Sequence, residues 1–182
     1  QAKKFLLKVV EMEPKNAEVW SMLSIDASRW GQINLSNEYM RKATLADTSN
    51  VSYAANYLLS LKDNSTGYKE KVFNFVKRFP LSERGAQALY WLGEDAGNIC
   101  DKIFYFEELR KLYPPQKFNW SSSGMIGLAD AYLQIDPQKA LQLINEMGDG
   151  PDWKLRKQAV ESLIQINSLE KNQNFSAAIA EI

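Results

Sequence analysis

The feature that most constrains this chain is a spacing. Apolar, helix-compatible stretches run into a helix-stopping position five times: Val9-Val10-Glu11-Met12-Glu13-Pro14, Ala43-Thr44-Leu45-Ala46-Asp47-Thr48, Val76-Lys77-Arg78-Phe79-Pro80, Leu109-Arg110-Lys111-Leu112-Tyr113-Pro114 and Leu143-Ile144-Asn145-Glu146-Met147-Gly148. The intervals between stops are 34, 32, 34 and 34 residues. A unit of that length cannot bury its apolar face alone, so successive units must stack and share a core.

Each interval splits into two helical patterns. Trp20, Leu23 and Ala27 recur at spacings of three and four between Ala17 and Gly31, one face of a helix. Gly31 permits a tight turn because it lacks Cβ, and Leu35, Tyr39, Met40 and Ala43 continue the spacing in a second helix. The grammar recurs as Tyr53–Leu61, a polar turn Lys62-Asp63-Asn64-Ser65, and Tyr68–Phe79. It recurs again as Ala86–Ala96, a turn at Gly97-Asn98, and Ile103–Tyr113. Met125–Leu133 is then followed by Asp136-Pro137, an N-cap with proline at the first helical position, and a helix from Gln138 to Met147. A last unit is capped by Asp152, runs from Trp153 through Leu169 and turns near Asn172–Asn174. Sustained period-two alternation is absent, so the expected class is all-α. The implied organisation is one repeat domain over residues 1–182: a half-repeat 1–16, then repeats 17–50, 51–81, 82–118, 119–150 and 151–182.

Composition narrows the chemistry. With 22 basic and 22 acidic side chains the formal net charge is zero, which offers no attraction for a phosphate backbone or an anionic membrane surface. No histidine is present, which removes the commonest general base near neutral pH and every Ser-His-Asp or Cys-His arrangement. Cys100 is the single cysteine; it makes no internal disulfide and no Cys-x-x-Cys motif, and is read as a small helix residue. The acidic clusters Glu94-Asp95, Glu107-Glu108 and Asp149-Gly150-Pro151-Asp152 lack calcium-loop spacing, and no phosphate-binding glycine loop occurs. Glycosylation acceptor patterns begin at Asn34, Asn50, Asn64, Asn119 and Asn174 and carry little weight in an Asn- and Ser-rich chain. No stretch approaches the roughly 18 consecutive apolar residues of a membrane span. The expectation is a segment without catalysis, cofactor, metal, nucleic-acid partner or membrane insertion.

These residues resemble tetratricopeptide repeats, helix-turn-helix units with Trp, Leu, Gly, Tyr, Ala, Phe, Ala and Pro at fixed places. The best match is 17–50, with Trp20, Leu23, Ala27, Ser36, Met40 and Ala43 at pattern positions and Thr48 where proline is usual. Ala88-Leu89-Tyr90-Trp91-Leu92-Gly93-Glu94 ahead of Tyr113-Pro114 resembles the variant of bacterial cell-envelope repeat proteins, and Gly127-Leu128-Ala129-Asp130-Ala131-Tyr132 is similar to a further repeat. Residues 51–81 match by length and helix pattern only, and the last unit departs further.

The resemblance implies an α-α superhelix, or solenoid, whose first helices line a concave groove that binds a protein or peptide, or another domain of the parent chain. The groove places it implies are Glu18, Ser21, Met22, Ile25, Ser28 and Arg29 in one unit, and Gln87, Tyr90, Trp91 and Glu94 in another. Tyr90 and Trp91 are the strongest anchors, since large rigid aromatics dominate interface energetics, and the alternative is that one of them packs on the next first helix. Trp20, Phe73, Phe75 and Phe104 are expected in the core. Of the lysine, asparagine and arginine that a chaperone-tail carboxylate clamp needs, only Asn56 has a match. An alternative reading makes the segment the accessory repeat region of a bacterial thioredoxin-like thiol-disulfide oxidoreductase, with the redox domain elsewhere. A periplasmic or cell-envelope location goes with the resemblance, a cytoplasmic one being the alternative. Both ends read as falling inside a repeat, Ala2–Pro14 as a second helix without its first and Ser176–Ile182 as a second helix without its stop.

Overall fold

The computed structural model describes residues 2–62, 67–148 and 150–180, and the side chains of these apart from 151, 152 and 170–180. The described residues form ten α-helices and no strand: α1 (Ala2–Met12), α2 (Ala17–Arg29), α3 (Ile33–Ala46), α4 (Val51–Ser60), α5 (Tyr68–Arg78), α6 (Glu83–Glu94), α7 (Ile99–Leu112), α8 (Asn119–Ile135), α9 (Pro137–Met147) and α10 (Pro151–Ala180). The all-α expectation holds. The expected turn at Lys62-Asp63-Asn64-Ser65, the acceptor pattern at Asn64 and the acidic cluster at Asp149 lie wholly or partly outside the described residues.

Short polar side chains set the helix starts. Asn16 Oδ1 accepts from Val19 N at 3.2 Å, Asn50 Oδ1 from Ser52 N and Tyr53 N at 3.0 and 3.2 Å, and Ser82 Oγ from Gly85 N at 3.0 Å. Each satisfies an orphan N–H and is worth about 1 kcal/mol. Asn98 does the same for Asp101 N at 2.8 Å, so α7 begins at Ile99 rather than at Ile103. Asp136 accepts from Lys139 N with Pro137 at the first helical position, as the sequence predicts. Gly31 adopts φ 69°, the left-handed conformation its turn requires.

Other boundaries also differ from the sequence expectation. Helix α8 starts at Asn119, six residues before Met125, because Trp120 and the buried Ser121 already pack inward. Pro151 opens α10 one residue ahead of the turn in which Asp152 was expected to cap. The helix then continues through Asn172–Asn174, where a turn was expected; this stretch holds neither glycine nor proline, so nothing in the backbone forces a break.

The chain divides into two compact units, Gln1–Ala88 and Leu89–Ile182. In the first, α1 to α5 each pack on their sequence neighbours. Val10, Leu23, Ala27 and Tyr39 form its core, with Leu6, Leu7, Val19, Trp20 and Leu35 packed against them. Trp20 lies 5.7 Å from the Tyr39 ring, donates Nε1–H to Pro14 O at 2.8 Å and carries Lys42 Nζ 4.7 Å above its ring. It packs half-buried against the core with its polar edge satisfied. Phe75 is buried and Phe73 half-buried.

In the second unit α7, α8, α9 and α10 likewise pack in succession. Phe106, Leu109, Tyr113, Met125, Leu128 and Ile144 are almost wholly buried. Phe104, expected in the core, is instead 52% exposed, because its neighbours Tyr105 and Phe106 occupy the inward face of α7. Tyr132 ties three helices together: its hydroxyl donates to Glu107 Oε1 at 3.0 Å and accepts from Lys139 Nζ at 2.5 Å. The Tyr132 hydroxyl, and then the Glu107 and Asp136 carboxylates, hold the Lys139 ammonium above its ordinary pKa. Arg110 bridges α7 to Glu146 of α9 at 2.6 Å, and Arg156 of α10 pairs with Asp130 of α8.

One polar atom in this unit stands out. Ser121 Oγ is buried with no hydrogen-bond partner among the described residues. Ser121→Ala removes that unpaired hydroxyl at little cost in volume, and chemical denaturation should show a gain of about 1 kcal/mol. A loss of stability would mean that the hydroxyl has a partner.

Candidate functional site

The side chains expected on the outward face of α2 fall as their spacing implies. Leu23, Ser24 and Ala27 turn inward onto α3, leaving Glu18, Met22, Ile25, Ser28 and Arg29 exposed and Ser21 half-buried. Met22 and Ile25 are 43% and 49% exposed, a large apolar surface for a helix whose other face is well packed.

Three of these residues meet others in a cavity of about 280 Å³ between α2, α3 and α4. Ile25, Ser28 and Arg29 line one side, Asn37 and Met40 of α3 another, and Asn56 and Ser60 of α4 the third. Its floor is the buried pair Ser24 and Ser36: Ser36 Oγ–H donates to Ser24 O at 2.9 Å, and the two hydroxyl oxygens lie 3.0 Å apart. Asn37 Nδ2 donates to Ser60 O at 3.3 Å, joining α3 to α4 across the cavity wall. The side chains of Ser28, Arg29 and Asn56 make no hydrogen bond or ion pair among the described residues. They leave a guanidinium fork, an amide and a hydroxyl on the rim of one small volume, a set suited to a carboxylate or backbone carbonyls.

The residues expected on α6 have a different setting. Tyr90 and Trp91 both pack on Trp120 of α8, with ring centroids 5.2 and 6.1 Å apart, and Tyr90 also lies 6.0 Å from Phe106. Both are half-buried. Burial, and next the neighbouring Glu94 carboxylate, push the Tyr90 phenol above its ordinary pKa. Glu94 is exposed and 3.7 Å from Lys102, while Gln87 Oε1 accepts from Arg84 at 2.8 Å. The aromatic trio is therefore a packing element between α6 and α8.

Sequence reasoning reached Ile25, Ser28, Arg29 and Asn56 but missed Asn37, Ser60 and Trp120. Asn37 and Ser60 carry no spacing signal, since they meet only when α3 and α4 pack. Trp120 follows its stop Pro114 by six residues, as Trp20 follows Pro14, so the repeat period could have found it. The other patterns that begin among the described residues fall in helices or caps: Asn34 lies in α3, Asn174 in α10, and the Asn50 side chain is committed to capping α4. Cys100 is exposed in the first turn of α7. No helix among the described residues is long and apolar enough to cross a membrane, and none of their His, Cys, Asp or Glu side chains form a metal-sized group of three. No protein-family model matches the chain, and no curated protein matches it.

Proposed function

We propose that this chain is a tetratricopeptide-like helical-repeat scaffold, without chemistry of its own, that binds a peptide or extended protein segment along its first helices. The observation that carries the reading is the α2–α3–α4 cavity, where uncommitted Arg29, Asn56 and Ser28 side chains sit beside the exposed apolar surface of Met22 and Ile25. Apolar anchors flanked by oriented polar groups are what extended peptides need: the anchors supply most of the affinity and the polar groups fix direction.

The test is selection of short random peptides displayed against the whole chain, followed by titration of the enriched peptides. Binding should weaken at least about tenfold, or about 1.4 kcal/mol, in the Arg29→Ala/Asn56→Ala double variant, whose surface positions leave the fold intact. Peptides that bind the double variant as well as the parent chain, or a selection that enriches nothing, would refute the reading.

A further inference from the structure

Helix α10 carries apolar side chains on two opposite sides. On one side Val160 is buried and Trp153, Leu163 and Ile164 are half-buried where the helix packs on α9. On the other side Leu155, Ala159, Ser162, Ile166 and Leu169 are all exposed, Leu155 by 68%, Ile166 by 51% and Leu169 by 53%. At 3.6 residues per turn these five positions fall within an arc of about 80°. The one hydroxyl among them is already satisfied, since Ser162 Oγ–H donates to Gln158 O of its own helix at 2.9 Å. A contiguous apolar stripe of this kind marks an interaction surface, whereas exposed leucines scattered singly do not.

The spacing identifies the occupant. Successive positions of the stripe are four, three, four and three residues apart, the 3.5-residue repeat that keeps a seam facing another helix along its length. Residue sizes then narrow the choice of helix. In two α10 helices run antiparallel about a twofold axis near Ile164, Ala159 of one copy lies opposite Leu169 of the other, and Ser162 opposite Ile166. Every such layer pairs a large side chain with a small one. A parallel pair would set Ala159 on Ala159 and Ile166 on Ile166, leaving gaps in some layers and crowding in others.

We infer that α10 is a dimerisation helix, whose exposed stripe pairs antiparallel with the same stripe of a second copy of this chain. The stripe and its flanks bury roughly 500 Å² on each copy, at the low end for specific interfaces, so the association is reversible and in the micromolar range. The surface is separate from the α2–α3–α4 cavity and does not depend on the peptide-binding reading.

Sedimentation velocity of the whole chain from about 1 to 200 µM tests the inference. The 20.8 kDa species should give way to one of twice that mass, with a dissociation constant between about 1 and 100 µM. Ile166→Glu/Leu169→Glu should weaken association at least about a hundredfold, because the twofold axis counts each substitution twice, with circular dichroism confirming the fold. The register is read by cross-linking on a Cys100→Ser background. Mixed Ala159→Cys and Leu169→Cys chains should oxidise to a disulfide-linked pair, and Ala159→Cys alone should not. A monomer throughout the concentration range would overturn the inference and leave the stripe to a different protein. So would a dimer that survives Ile166→Glu/Leu169→Glu, or cross-linking of Ala159→Cys to itself.

Discussion

Gly127→Ala should lower the thermal midpoint of the chain by about 5–10 °C, the equivalent of roughly 2–3 kcal/mol. A Cβ at Gly127 would stand 2.4 Å from the Phe106 ring, and one at Gly93 would stand 2.4 Å from the ring's opposite edge. A free aromatic side chain could swing away. Phe106 cannot, because it is 1% exposed and is enclosed by α6 on one side and α8 on the other. The sign is informative, because glycine to alanine inside an ordinary helix gains about 1 kcal/mol. Gly93→Ala should behave alike, and Phe106→Leu combined with Gly127→Ala should recover part of the loss, a non-additivity expected only of residues in contact. Stabilisation by either alanine, read by circular dichroism, would mean that the ring has room to move.

Trp120→Ala is the second change with a large expected effect, a loss of roughly 2–3 kcal/mol, somewhat below the cost of truncating a fully buried tryptophan. Trp120 is the surface on which both Tyr90 and Trp91 rest, so its removal withdraws support from two aromatics at once. Tryptophan emission should shift to the red as Trp91 gains water, and Trp120→Phe should retain most of the stability. Unchanged stability and emission would free Tyr90 and Trp91 from a packing role. Because the trio packs, a double replacement of Tyr90 and Trp91 would confound folding with binding, whereas Arg29 and Asn56 offer a cleaner probe of the proposed peptide site.

Much of the architecture was legible before any coordinates. Helix periodicity placed α2 and α3 well because their apolar residues lie on one narrow face and a glycine separates them. The outward side chains of α2 followed from the same geometry, since fixing Leu23 and Ala27 inward fixes Met22, Ile25 and Arg29 outward. The reading failed where local signals were weak or competed. Asn98 moved the start of α7 forward because a side-chain cap outweighs the pattern of the first turn, and Phe104 turned outward because three successive aromatics cannot share one helix face. The candidate cavity was only half visible: Arg29 and Asn56 are 27 positions apart in the sequence, and nothing local says that they meet.

By itself, then, the sequence determined the all-α class, the rhythm of helix starts and stops, and the absence of histidine and paired cysteines, because these depend on backbone chemistry within a few residues. Only the tertiary structure decided which polar groups were left uncommitted, which aromatics became supports and which glycines became contact points. Those outcomes depend on packing between helices, where a single methyl group against Phe106 or a neighbouring amide beside Arg29 changes what a residue can do.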